Sequence, residues 1–155
     1  MAALEWFEGI PTIRRKVEEL AMAIESAHAA AGPHGQSMGT IGGGSGRDSL
    51  AGIDRLIDSD VRLELRHAKA TLAYRTAYAM WVLYGMSGRG GLAMAKGVAD
   101  ADILCCHYIQ GMKWSDIARE VVRPDTDYPS QWCRRRAITA CRYIDRVGMP
   151  TLVDT

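Results

Sequence analysis

The planar, permanently charged guanidinium of arginine grips phosphate oxygens and the acceptor edge of guanine, and this chain collects that group in one short segment. Between Ser130 and Arg146 stand Arg134, Arg135, Arg136, Arg142 and Arg146 against a single acid, Asp145, whereas the first hundred residues carry equal numbers of bases and acids. A formal net charge of +1 over 155 residues makes no argument for nucleic acid on its own; the uneven distribution is what points there. Projected as a helix at about 100° per residue, the segment puts Cys133, Ala137, Ala140, Cys141 and Ile144 on one side and Gln131, Arg135, Arg142 and Arg146 on the other. Small apolar groups face in and arginines face out. Arg134 and Arg136 sit at the two boundaries, where long side chains reach phosphates, while Gln131, Trp132 and Arg135 lie at the end that meets base edges, with Ser130 in the same DNA-facing set; Trp132 is equally placed to contact the turn before it. This is the layout of a DNA-recognition helix, and its plain alternative is a solvated basic surface.

Other chemistries fare worse. Cys105, Cys106 and His107, with Cys133 and Cys141 downstream, offer ligands that zinc prefers. Adjacent cysteines on a helix point about 100° apart, however, no Cys-x-x-Cys pair exists, and each cysteine fits an apolar stripe, so buried free thiols are expected and no metal. The glycine cluster from Gly39 to Gly46 lacks the following Lys-Ser or Lys-Thr and the preceding strand of a phosphate-binding loop. His28, His34 and His67 are far apart, with no acid and nucleophile at readable spacing. The reading is therefore not an enzyme, with no cofactor.

The elements that must hold the arginine segment read as all-α, because Ala, Leu, Met, Arg and Glu dominate outside the glycine clusters. A helix is expected over Pro11–Ala31, with Pro11 in its first turn and Ile13, Val17, Leu20, Ile24 and Ala27 as its stripe. Gly32 and Pro33 end it, and a mobile glycine-rich loop is expected over 32–47. A longer helix begins near Asp48 or Ser49, its stripe running through Leu50, Ile53, Leu56, Ile57, Val61, Leu65, Ala68, Leu72, Tyr78 and Val82. Packed antiparallel on the first it makes a helical hairpin, residues 1–90, which also offers a surface for a homodimer. Gly85 to Gly91 breaks the pattern, and three helices follow, about Leu92–Ile109, weakened by Gly97, then Trp114–Val122 and Ser130–Val147, as a second domain over 91–155. Trp6, Trp81 and Trp114 belong to apolar stripes and are expected in the core. No apolar run approaches the roughly 18 residues that span a bilayer, and no targeting segment is visible, so a cytoplasmic protein with reduced cysteines and no membrane association is expected.

Ahead of the arginine segment, Tyr108-Ile109-Gln110-Gly111-Met112-Lys113-Trp114-Ser115-Asp116-Ile117-Ala118 resembles the Tyr-x-x-Gly-x-Ser-x-x-Glu-Ile-Ala pattern of the region-4 helix-turn-helix in bacterial sigma factors, in the version found in phage regulators of the ArpU and RinA type. The order of parts is also similar: a helical hairpin with a variable loop, then this module, with tryptophan where Trp114 stands. The resemblance implies a C-terminal three-helix helix-turn-helix and control of phage or prophage late genes, on double-stranded DNA and beside RNA polymerase. Carried over by position, it implies that Leu104, Tyr108, Ile117 and Ala118 are core, that Cys133 takes a buried aliphatic place, and that Gln131, Trp132, Arg134 and Arg135 face DNA. Lys113, which replaces the usual Ser or Thr cap, adds a cation to the DNA-facing set. About six residues between Ala118 and Ser130 exceed the family's short turn. The competing reading is a helical adaptor that docks on polymerase or a packaging subunit without touching DNA.

Overall fold

Helix-forming residues between glycine punctuation fold as helix throughout, and no strand occurs among the described residues. The structure, a computed structural model, describes residues 1–30 and 47–154, the side chains of residues 30 and 47–58 excepted. Helix α1 spans Ala2–Ala30 and α2 spans Arg47–Tyr84. Then come α3, Gly91–Lys96, and α4, Val98–Leu104, which runs on as a π-helical segment, Cys105–Ile109. Helix α5, Trp114–Asp116, likewise runs into a π-helical segment, Ile117–Val122, before α6, Pro129–Val147, and α7, Met149–Val153. Among the described residues no helix is long and apolar enough to cross a membrane.

Two expected boundaries move. Helix α1 starts at Ala2, and Pro11 lies inside it rather than in its first turn. Proline there removes the donor that would meet the Phe7 carbonyl, but Ala3, Phe7 and Ile10 fall on one face and are buried to 1%, 0% and 0% exposure, which outweighs the missing bond. The helix expected over Leu92–Ile109 is divided into α3 and α4 at Gly97, whose φ of +109° is open to glycine and rarely to other residues.

The described chain forms two compact units. One consists of Met1–Ile13 with Leu72–Thr155, and the other of Arg14–Thr71. The first unit holds a continuous core of Phe7 and Ile10 from α1, Ala79, Val82 and Leu83 from α2, Leu92 from α3, Ile103 and Leu104 from α4, Ile117, and the inner face of α6. The division expected between residues 90 and 91 thus differs from the observed one. The apolar ends of α1 and α2 are buried together with the C-terminal helices, because Phe7, Val82 and Leu83 are worth about 1.5–3 kcal/mol each when fully covered. Trp6 packs at this core, edge-on to Tyr78 at 5.7 Å and under the Arg75 guanidinium at 5.7 Å. Trp114 is also half-buried against it, whereas Trp81, expected in the core, is 39% exposed because Val82 and Leu83 take the inward positions of that turn.

In the second unit Val17, Leu20 and Ile24 of α1 and Val61 and Leu65 of α2 are half-buried. Lys16 Nζ lies 2.6 Å from Glu64, and Arg62 Nη2 donates to His28 Nε2 at 2.7 Å. Such exposed pairs contribute about 0–1 kcal/mol, so apolar contact is the main stabilising term. The loop expected over 32–47, the glycine cluster Gly39–Gly46 and His34 lie outside the described residues, as do the side chains of Asp48, Ser49, Leu50, Ile53, Leu56 and Ile57.

Candidate nucleic-acid interface

Helices α4, α5 and α6, with the π-helical segments of the first two, contact one another. The first connection is short: Gly111 takes a left-handed φ of +77°, Met112 N–H donates to the Cys106 carbonyl at 2.9 Å, and Lys113 is extended. Lys113 caps α5 through its carbonyl alone, accepting from Asp116 and Ile117 N–H at 3.0 and 3.1 Å, and leaves its own side chain exposed. The residues in excess of a short turn divide in two. Some lengthen the second helix to Val122, where Arg123 stops it in the left-handed region with φ +46° and donates its N–H to the Ala118 carbonyl at 3.0 Å. The rest form a link ending at Tyr128, and Pro129 opens α6. Leu104, Tyr108, Ile117, Ala118 and Cys133 are all buried.

The inner face of α6 is the one projected from the sequence: Cys133, Ala137, Ala140, Cys141 and Ile144 are buried. Four of these five side chains are small, which lets the backbone come close to its neighbours. All four cysteines are free and buried. Burial pushes each thiol up, Cys141 to about 12 with help from Asp145, so none is a ready nucleophile. Among the described residues no three His, Cys, Asp or Glu side chains converge as a metal site.

The outer face carries Gln131, Arg134, Arg135, Arg142 and Arg146, all exposed. Arg135 and Arg142 form no ion pair with a described residue. The one acid of the helix, Asp145, accepts the Ala3 N–H through Oδ1 at 2.8 Å, where the positive end of α1 offsets its charge. Ser130 and Trp132 are half-buried.

Arg136 is placed differently from its companions. Its Nε and Nη2 both lie 2.6 Å from Oδ1 of Asp100, a carboxylate only 1% exposed in the first turn of α4. Its Cζ also sits 5.4 Å from the centre of the Trp132 ring, covering part of a surface expected to meet DNA. The guanidinium, expected at a phosphate, here fastens α6 to α4. Sequence reasoning missed Asp100, which is separated from Arg136 by 36 positions and marked by no spacing rule.

His107 steadies the connection before α5. Its Nδ1–H donates to the Met112 carbonyl at 2.8 Å, and its ring stacks on Trp114 at 3.6 Å between centres. Burial holds the imidazole below its ordinary value of about 6.5. The unfolded chain then binds the proton first as pH falls, so this contribution to stability is present above pH about 6.5 and lost below it, down to the lower native value. Thermal unfolding between pH 7.5 and about 5 is expected to lose more stability in the wild type than in His107→Phe, which keeps the stack without a titrating group. Parallel profiles would contradict this account.

No protein-family model matches the chain, and no curated protein and no solved structure is significantly similar to it.

Proposed function

We propose that the protein is a sequence-specific DNA-binding transcription regulator, with α4, α5 and α6 acting as a helix-turn-helix and α6 entering the major groove. The observation that carries this reading is the two-sidedness of α6: five buried residues inside, and Arg134, Arg135, Arg142 and Arg146 exposed outside. The buried places of Leu104, Tyr108, Ile117 and Ala118 agree with the sigma region-4 pattern, and that resemblance motivates late-gene control in a phage or prophage beside RNA polymerase. Phosphate contacts supply most of the affinity, from the arginines and from exposed Lys113. A homodimer through the apolar stripes of α1 and α2 would place two copies on a palindromic site.

Titration of duplexes at several salt concentrations tests this. Arg135→Ala and Gln131→Ala are expected to relax sequence preference at one position by about 1–3 kcal/mol each. Arg142→Ala and Arg146→Ala are expected to weaken every sequence alike and to reduce the salt slope by about one each. Equal losses on all sequences in all four variants refute the division of labour, and absence of salt-dependent binding by the wild type refutes DNA binding itself. The second result would favour the adaptor reading, for which Met86, Met94 and Val98, exposed to 64%, 71% and 59%, are candidate apolar contacts.

A further inference from the structure

Lys96, the last residue of α3, was not part of any pattern read along the chain, yet it comes to the flank of the basic helix. Its Nζ lies 5.5 Å from the centre of the Tyr143 ring, and the Arg146 guanidinium carbon lies 5.3 Å from the centre of the same ring. Both cations are exposed, while Tyr143 is half-buried and packed at the core. One ring thus gathers two like charges, and among the described residues no carboxylate is within ion-pair distance of either. The ring's π-electrons attract each cation but neutralise neither. What such a pair lacks is an anion. Arg142 precedes Tyr143 directly and lies one turn from Arg146, so the pair continues the outer stripe of α6 and extends it across to α3.

We infer that Lys96 and Arg146, oriented by Tyr143, bind a backbone phosphodiester of duplex DNA beside the groove that α6 enters. The inference rests on the DNA-binding reading and deepens it, adding a grip from a second helix that carries no sequence information. Lysine suits this place as a point charge needing no fixed fork geometry. Tyr143 is a positioning residue: it holds the two side chains near their bound arrangement, so less freedom is lost when the phosphate arrives.

The test uses the full chain and several duplexes of different defined sequence at a series of salt concentrations. Lys96→Gln is expected to lower affinity several-fold on every sequence and to reduce the magnitude of the log–log salt slope by about 0.9. Lys69→Gln, an exposed lysine of the other unit, serves as the control and keeps the wild-type slope. Tyr143→Leu keeps both charges but releases them, so affinity falls while the slope stays, and Tyr143→Phe recovers what the leucine loses. A wild-type slope in Lys96→Gln, while the wild type binds salt-dependently, overturns the inference and leaves the DNA reading standing. Loss confined to one sequence overturns the phosphate assignment in favour of a base contact. Absence of salt-dependent binding by the wild type removes both, and that result is distinct from the other two.

Discussion

Replacing Arg136 by leucine is expected to lower the free energy of unfolding by about 3–5 kcal/mol. The reason lies in its partner. Asp100 is 1% exposed and receives both Nε and Nη2 of Arg136 on one carboxylate oxygen at 2.6 Å. Leucine preserves apolar volume beside Trp132 but leaves the carboxylate in the interior without its cation, and an uncompensated buried charge is among the most destabilising single defects. The reverse change is milder. Asp100→Asn keeps an oxygen that accepts from the guanidinium, and Arg136, 40% exposed, can turn toward water, so a loss of about 1 kcal/mol is expected. Urea denaturation of the two variants and of the double variant measures both the asymmetry and the coupling. If Arg136→Leu cost no more than Asp100→Asn, the pair would not be what fastens α6 to α4. A DNA titration beside the denaturation separates positioning from contact: Arg136→Leu should lose DNA affinity together with stability, and Arg135→Ala should lose affinity alone.

A second large effect is expected at Gly91, where the start of α3 passes close to the end of α2. Gly91 has φ +65°, and a Cβ there would stand 2.7 Å from both the Gly85 nitrogen and the Val82 carbonyl oxygen. These are backbone atoms at the end of α2, beside the buried Val82 and Leu83, and they cannot swing aside as a flexible side chain would. Gly91→Ala therefore combines left-handed strain with overpacking, together about 2–4 kcal/mol. Gly88→Ala is the control. It shares the left-handed conformation, with φ +73°, but has nothing within 4 Å of the added carbon, so strain alone remains, about 1 kcal/mol. Equal losses at the two glycines would mean that the close approach contributes nothing.

Where reading along the chain succeeded, the information was local. The inward face of α6 follows from the spacing of Cys133, Ala137, Ala140, Cys141 and Ile144, because a helix repeats every 3.6 residues whatever it packs against. The end of the π-helical segment before Gly111 and the start of α6 at Pro129 follow from residues whose backbone preferences act within a turn of themselves. Pro11 misled for the complementary reason. Its usual place is a first turn, and burial of Ala3, Phe7 and Ile10 overrode that preference. The Ala3, Phe7, Ile10 spacing was itself a readable helical signal, and the proline obscured it.

Residue order alone thus determined the all-helical character, the breaks at Gly85–Gly91 and Gly111 and a cationic face on α6, since propensity, periodicity and charge are properties of neighbouring residues. Tertiary packing decided which cations stay on that face: it paired Arg136 with Asp100, set Asp145 at the start of α1, and brought Lys96 and Arg146 to one ring. Those partners are distant along the chain, and they meet only because burying the apolar stripes of several helices fixes one arrangement of their backbones, after which the polar groups at the edges bond with whatever that arrangement brings near.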